Sequence, residues 1–225
     1  MNTPREWPKA QAVAFPSSLR QCSSLDDVTE IFDQDAQIVI LPRRIDRAIV
    51  AWFDAAALAG MLGSGFRTTL RSGDRMAVDL LPDLPGRERL ADDIGMMSEM
   101  YCDLLGCPAA GVRVEVVKVA MCPRFHVDRV GIRLLCTYRG PGTEWLDDRD
   151  VDRGLLGRRA DGESDESSGL ILDPNAVQEV PRFAMALLKG SMWQGNSERG
   201  VIHRSPAVTA SESPRVLLAI DAFWD

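Results

Sequence analysis

The apolar residues of this chain change their spacing once, near residue 110. Before that point they recur at steps of three and four residues, which predicts helices at about 42–62 and 87–105. After Gly111 they alternate with polar residues, which predicts short antiparallel strands. Helices followed by antiparallel strands favour an α+β fold, namely a double-stranded β-helix (a jelly-roll, cupin-like barrel) with the N-terminal helices packed against it.

The two parts of the sequence differ in what they contribute to this fold. We expect residues 1–110 to form a helical support region, in which only 37–41 has the pattern of a buried strand. We expect residues 111–225 to form the barrel core. Its predicted strands are bounded by Gly, Pro or Ser and lie at about 111–119, 132–139, 183–188, 200–203 and 215–223.

Residues 147–169 interrupt the predicted strands with acidic, basic and small polar residues that are too charged to be buried together. We interpret this segment as an acidic insertion loop. It is either a mobile lid over the mouth of the barrel or a solvated loop, and the solvated loop is the commoner behaviour of such segments.

Charge and cysteine content argue against several classes of protein. The 225 residues include 33 acidic and 26 basic side chains, so the chain lacks the positive field that concentrates nucleic acid. Its five cysteines form no Cys-x-x-Cys, which indicates reduced thiols. The sequence shows neither a signal peptide nor the ~20 apolar residues of a membrane span. We expect a soluble, cytoplasmic, bacterial-type enzyme, and nothing indicates its oligomeric state.

Only two histidines are present, and their surroundings predict a metal site. His126 precedes Asp128 by two residues, and side chains at i and i+2 of an extended segment project to the same side. His203, on a short predicted strand, supplies the only other imidazole. Two imidazoles and one carboxylate on one face of an ion are typical of non-haem Fe(II) sites and leave three positions open. Structural histidines, and an Asp128 that caps its own turn, are the alternatives.

Arg215 opens the last predicted strand, twelve residues after His203. A planar, permanently charged guanidinium suits a two-point bond to a carboxylate. Pairing of the two strands that carry His203 and Arg215 would place the arginine near the metal, where an anionic co-substrate would bridge the two. An exposed Arg215 is the alternative. Arg204 competes for the same role, although alternation turns it away from the face of His203.

Several phrases of the sequence resemble a known superfamily. The order His126-x-Asp128, His203 and then Arg215 is similar to that of the Fe(II)- and 2-oxoglutarate-dependent dioxygenases, over roughly residues 111–225. More closely, the chain resembles a bacterial domain of unknown function, some members of which are encoded near zinc-responsive genes. That closer resemblance lies in the segments 125–128, 138–145, 188–190, 200–206 and 215–221.

This resemblance implies a double-stranded β-helix in which His126, Asp128 and His203 bind Fe(II). It also implies that Arg215 binds the distal carboxylate of 2-oxoglutarate and that the outcome is hydroxylation of a small-molecule or peptidic substrate. Between the alternating neighbours Thr137 and Tyr138, we expect Tyr138 to contact the co-substrate or substrate. No catalytic residue beyond the metal ligands is predicted.

Two other functions use the same three ligands. In the first, Zn(II) replaces iron and activates water in a hydrolase or lyase, which agrees with the zinc-linked genes of the resembling family. In the second, the chain is a non-enzymatic, cupin-like metal-binding or sensing module, with the acidic loop as its partner surface. The ligand types alone do not distinguish these functions from an oxygenase.

Overall fold

Two α-helices and ten strands form the part of the chain that this computed structural model describes, residues 17–157 and 164–224. The helices are α1 (Arg47–Leu58) and α2 (Arg87–Leu105). The strands, in chain order, are β1 (Leu19–Gln21), β2 (Ile38–Leu41), β3 (Gly65–Arg71), β4 (Ala109–Val117), β5 (Ile132–Arg139), β6 (Glu144–Leu146), β7 (Gln178–Glu179), β8 (Met185–Lys189), β9 (Ile202–Arg204) and β10 (Arg215–Phe223).

The strands form two sheets. Seven of them make a mixed sheet in the order β1-β2-β8-β5-β10-β4-β3, in which β1 and β2 pair in parallel and the other neighbours pair antiparallel. The other three make an antiparallel sheet in the order β7-β6-β9. An isolated bridge between His126 and His203 adds one further segment beside β9.

Alternate side chains of the seven-stranded sheet enter two different cores. Leu134 of β5 packs in the same core as Ile94 of α2. Its neighbour Leu135 points to the other face, where it packs with Ala219 of β10 and with Trp145 of β6. Because both faces are covered, the central strands are apolar on both sides. The molecule therefore has three layers, with the helices and the small sheet on opposite faces of the large sheet.

The predicted α+β, jelly-roll-like arrangement with helices on one face agrees with this architecture. The bounds predicted for α2, β5 and β10 match the observed ones, while α1 is shorter than predicted at both ends. The structure also shows four strands that the sequence analysis did not predict, β1, β3, β6 and β7. Residues before 109 thus supply β1, β2 and β3 to the large sheet in addition to the helices. The domain boundary near residue 110 stays a prediction.

The described ends of the 147–169 loop are packed against the rest of the molecule. Asp147 is buried and accepts hydrogen bonds from the backbone N–H and the hydroxyl of Ser18 at 3.1 Å. Asp165 is also buried and accepts the N–H of Phe125 at 2.7 Å. These ends are therefore anchored and not simply solvated, while residues 158–163 of the predicted loop lie outside the described part.

No helix among the described residues combines the length and the hydrophobicity that crossing a bilayer requires.

Candidate metal centre

Three side chains that are distant in the sequence meet at one point. Nε2 of His126 lies 3.5 Å from Oδ1 of Asp128, and Nε2 of His203 lies 3.3 Å from Oδ2 of the same carboxylate. All three residues offer ligand atoms within 4.8 Å of one another. The structure thus brings together the three residues that the sequence predicts as metal ligands.

Backbone pairing fixes this meeting point. His126 and His203 lie opposite each other, and the N–H of each donates to the carbonyl of the other over 3.0 Å. Strand β9, which carries His203, is itself paired with β6 on its other side. The small sheet therefore positions both imidazoles before any ion binds.

Gly190, at the end of β8, supports the turn that carries Asp128. Its N–H donates to the carbonyl of Gly131 at 2.7 Å, and the N–H of Ser191 donates to the carbonyl of Asp128 at 2.9 Å. A Cβ at position 190 would lie 2.4 Å from the carbonyl oxygen of Val130 and 2.7 Å from that of Asp128. Only glycine lets the turn approach this closely.

Backbone carbonyls set the tautomer of both imidazoles. Nδ1 of His126 donates to the carbonyl of Arg124 at 2.9 Å, and Nδ1 of His203 donates to the carbonyl of Val201 at 3.1 Å. In a neutral imidazole the nitrogen that donates carries the proton, so the lone pair resides on Nε2. Both Nε2 lone pairs are then available beside Asp128, as in histidines that bind metals.

The spacing and ionisation of these groups fit a divalent transition metal. Ligands at about 2.1 Å from an ion and at right angles to each other are about 3 Å apart, close to the distances observed. Burial alone would raise the pKa of Asp128, but the contacts of its carboxylate with the two imidazoles and the charge of Arg133 hold that pKa well below its usual range. The neighbouring Asp128 carboxylate stabilises the protonated form of the His126 ring and so raises the pKa of His126 against the effect of burial. Asp128 is therefore ionised, as a metal ligand must be.

Arg133, which the sequence analysis did not single out, completes the surroundings of Asp128. Its NH1 donates to Oδ2 of Asp128, and its Nε and NH2 make a two-point bond to Asp221 at 2.7 and 2.9 Å. Asp221 also accepts a hydrogen bond from Arg113 at 3.0 Å. Arg133 lies on the same face of β5 as the buried Leu135. A charged residue at such a position is a signal for a polar partner inside the molecule, although the sequence does not show which residue that partner is.

Arg215 lies at the other end of the same cavity. It is 1% exposed, and its Nε donates to the carbonyl of Pro141 at 2.8 Å. Its NH2 donates to the hydroxyls of Thr143 at 2.9 Å and Thr137 at 3.3 Å. None of the described carboxylates forms an ion pair with it, and burial lowers the pKa of Arg215 to about 10. A buried cation with neutral partners is placed to receive an anion.

The predicted pairing of the strands that carry His203 and Arg215 is wrong. Strand β9 pairs with β6, whereas β10 pairs with β4 and β5 in the large sheet. His203 and Arg215 instead line one cavity from different sheets. Their proximity comes from the packing of two sheets and not from a hairpin.

A cavity of about 150 Å³ connects the two ends of the site. His126, Asp128 and His203 line one end, and Arg215 and Thr143 line the other. Between them the floor is apolar and consists of alternate residues of β5 and β10, namely Leu135, Leu217 and Ala219. Apolar side chains therefore border the path between the candidate metal ligands and the buried arginine on one side.

The structure corrects the prediction that Tyr138 contacts a co-substrate or substrate. The Tyr138 ring is stacked on Phe53 of α1, with 5.0 Å between ring centroids, and its hydroxyl donates to Asp93 of α2. Tyr138 therefore belongs to the core under the helices. Its neighbour Thr137 points to the opposite face of β5 and contacts Arg215.

Arg204, the predicted competitor of Arg215, has partners of its own. Its Nε donates to Glu144 at 2.6 Å and its NH1 donates to Glu166 at 2.7 Å, while its guanidinium lies over the ring of Phe125. Two carboxylates thus neutralise this cation. Arg215 is the better candidate for binding an anionic ligand.

Comparison with solved structures defines the class of fold. The dioxygenase for auxin oxidation 1 from Arabidopsis thaliana, in a complex with 2-oxoglutarate, shares the fold with a TM-score of 0.52 and 11% identity, over 92% of each chain. JOX2 in complex with 2OG, Fe and JA has a TM-score of 0.49 and 14% sequence identity, over 92% of this chain and 74% of the JOX2 chain. A prolyl-4-hydroxylase from Pseudomonas putida has a TM-score of 0.46 and 11% sequence identity, over 90% of this chain and 95% of the hydroxylase chain. The Arabidopsis dioxygenase that is bound to 2-oxoglutarate thus shares its fold with this chain.

The chain belongs to the family described as protein of unknown function (DUF1826), whose model matches residues 22–221. No curated protein matches it.

Proposed function

We propose that this chain is an Fe(II)- and 2-oxoglutarate-dependent oxygenase that hydroxylates a small-molecule or peptidic substrate. One observation carries the proposal: a single cavity joins a cluster of two imidazoles and one carboxylate to a buried arginine that pairs with no described carboxylate. The imidazoles and the carboxylate match the iron that such an oxygenase has to hold, and the buried arginine matches the carboxylate of its 2-oxoglutarate.

The strand order supports a double-stranded β-helix as the core of this enzyme. Strands β4, β10, β5 and β8 are consecutive in the large sheet, and the segment at His126, β9, β6 and β7 are consecutive in the small one. In sequence these eight segments pass repeatedly from one sheet to the other. Trp145 of β6 packs against Leu135 and Ala219 between the sheets, so the two sets of four face each other.

His126, Asp128 and His203 would hold the iron. Fe(II) with 2-oxoglutarate supplies the oxidation of a substrate C–H bond by dioxygen, with release of succinate and carbon dioxide. The chain contributes ligands whose protonation is already set, because the carbonyls of Arg124 and Val201 keep the protons on Nδ1. Little reorganisation is then needed when the ion binds.

Arg215 would bind the distal carboxylate of 2-oxoglutarate. Its guanidinium is buried and held by the Pro141 carbonyl, and the hydroxyls of Thr137 and Thr143 lie beside it as further hydrogen-bonding groups. Charge-assisted bonds are strong in such an environment because water does not compete. The same arginine argues against a zinc hydrolase, which needs the three metal ligands but no buried site for a dicarboxylate.

The proposal is tested by turnover of 2-oxoglutarate. We expect the protein loaded anaerobically with Fe(II) and then exposed to air to convert 2-oxoglutarate slowly to succinate without added substrate, and the Zn(II)-loaded protein to form none. Succinate is measured by mass spectrometry, with free Fe(II) as the control. If 2-oxoglutarate stays intact with Fe(II) while Zn(II) is retained tightly, the oxygenase assignment is contradicted.

The position of Tyr138 gives a second prediction. The change Tyr138→Phe removes the hydrogen bond to Asp93, and we expect this to lower the free energy of unfolding by about 1–3 kcal/mol. The affinity of the Fe(II)-loaded protein for 2-oxoglutarate should stay unchanged, because Tyr138 faces the helices. Chemical denaturation and calorimetry provide the two measurements. If Tyr138→Phe is as stable as the wild type but binds 2-oxoglutarate more weakly, Tyr138 contacts the co-substrate after all.

A further inference from the structure

Asp128 has two carboxylate oxygens, and the number that bind the metal decides how many positions stay open. We propose that Arg133 restricts Asp128 to binding the metal through one oxygen, and that Asp221 holds Arg133 in this role. Arg133 is thereby a positioning residue. The inference rests on the proposed function, since it concerns a ligand of the same site.

The contacts of the carboxylate divide between its two oxygens. Oδ2 of Asp128 accepts the NH1 of Arg133 and also lies 3.3 Å from Nε2 of His203, while Oδ1 accepts no arginine and lies 3.5 Å from Nε2 of His126. A bond from a guanidinium occupies one of the two lone pairs of Oδ2 and draws negative charge from that oxygen, which makes Oδ2 a weaker second ligand for a chelated ion. Arg133 therefore leaves Oδ1 as the freer oxygen.

Arg133 is itself held rigidly. Asp221 of β10 lies opposite it in the strand register and takes its Nε and NH2 in a two-point bond. Asp221 is in turn bound by Arg113 of β4. The planar fork of a guanidinium that is fixed at two points can direct its remaining nitrogen in one direction only. The pairing of β5 and β10 thus sets the orientation of one metal ligand.

The consequence follows from counting positions around the ion. Two imidazoles and a carboxylate bound through one oxygen fill three of six positions and leave three open. A carboxylate bound through both oxygens would fill a fourth, and it would then compete with a co-substrate that binds through two atoms and with dioxygen. Arg133 keeps the third open position available.

The test compares Arg133→Met with Arg113→Met, which removes the other cation bound to Asp221 but leaves the contact to Asp128. Co(II) replaces Fe(II) because its visible absorption reports the number and geometry of its ligands. Without 2-oxoglutarate, we expect the Co(II) spectrum of Arg133→Met to differ from that of the wild type. The spectrum of Arg113→Met should match the wild type.

Affinity for 2-oxoglutarate gives the second readout. At saturating Co(II), we expect Arg133→Met to bind 2-oxoglutarate about 10- to 100-fold more weakly, a loss of the same size as that of metal affinity or activity when a group that orients a metal ligand is removed. Arg133→Lys should recover part of this loss because it keeps one charged donor. Asp221→Asn should change the Co(II) spectrum and the 2-oxoglutarate affinity in the same direction as Arg133→Met. If Arg133→Met does not fold, Asp221→Asn replaces it in the test.

Two results would overturn the inference. The first is an Arg133→Met protein that keeps the wild-type Co(II) spectrum and the wild-type affinity for 2-oxoglutarate. The second is an Arg133→Met protein that folds but no longer binds Co(II), which would mean that Arg133 is needed for Asp128 to bind the metal at all and does not limit it to one oxygen. Failure of the proposed function is distinguishable, because the wild type itself would then bind no 2-oxoglutarate in the presence of Co(II).

Discussion

Replacing His203 with alanine is expected to weaken Fe(II) binding more than about 100-fold and to abolish 2-oxoglutarate turnover. Changes to groups that only orient a metal ligand already cost roughly 10- to 100-fold, and this substitution removes one of three ligands. His203 is 6% exposed and is the ligand that the small sheet contributes from β9. Anaerobic titration with Fe(II), followed by metal analysis of the desalted protein, measures the loss.

The controls separate loss of the ligand from loss of the fold. Asp128→Asn and His126→Ala should reproduce the effect of His203→Ala, while Tyr138→Phe, which lies on the other face of the large sheet, should bind Fe(II) normally. Circular dichroism checks that each metal-free variant is folded. Wild-type metal affinity in a folded His203→Ala protein would show that the three side chains do not form the site.

Arg215→Met is expected to weaken 2-oxoglutarate binding by about 2–5 kcal/mol, which is roughly 30-fold to several-thousand-fold in Kd. The variant removes a buried cation, so the distal carboxylate would have to be desolvated without a charged partner. Metal binding should change little, because Arg215 lies at the opposite end of the cavity. Calorimetry of the metal-loaded protein gives both affinities.

A matched comparison comes from Arg204, which borders the same cavity but is neutralised by Glu144 and Glu166. Arg204→Met should affect 2-oxoglutarate affinity far less than Arg215→Met. The 2-oxoglutarate affinity of Arg215→Lys should lie between those of the two methionine variants, because lysine keeps the charge but loses the two-point geometry. If the Arg204 variant has the larger effect, the co-substrate lies against the small sheet and the proposed orientation is wrong.

The parts of the fold that the sequence predicted well have strong local signals. Helix α2 and strand β5 end at Gly106 and Gly140, both with positive φ angles that favour glycine. Strand β3 lacked such a signal, since Leu70 is its only fully buried residue. Its identity as a strand depends on pairing with β4, and a non-local contact of this kind cannot be read from spacing along the chain.

The candidate ligands were predictable for a different reason. Two histidines left no choice of imidazole, and the spacing of His126 and Asp128 places them on one side of an extended segment. The role of Arg133 was not predictable, because its bond to Asp221 depends on the register between β5 and β10. Arg215 was predicted as a co-substrate residue, but by way of a hairpin that does not form.

The error at Tyr138 has a general cause. Alternation along β5 shows that Thr137 and Tyr138 point in opposite directions, but it does not show which direction faces the cavity. In a sheet with only one buried face, the apolar residue identifies the inside. Here both faces of the strand are buried, so a large aromatic residue fits the helical core as well as it would fit the barrel.

The most direct measurement is an anaerobic titration of the Fe(II)-loaded protein with 2-oxoglutarate, followed by visible absorption. A 2-oxo acid that binds Fe(II) produces a charge-transfer band, and we expect this band to grow to saturation at one 2-oxoglutarate per protein. The band should be absent in His203→Ala and should require far more 2-oxoglutarate in Arg215→Met. A wild-type protein that retains Fe(II) but shows no band at any concentration of 2-oxoglutarate would contradict the proposed function.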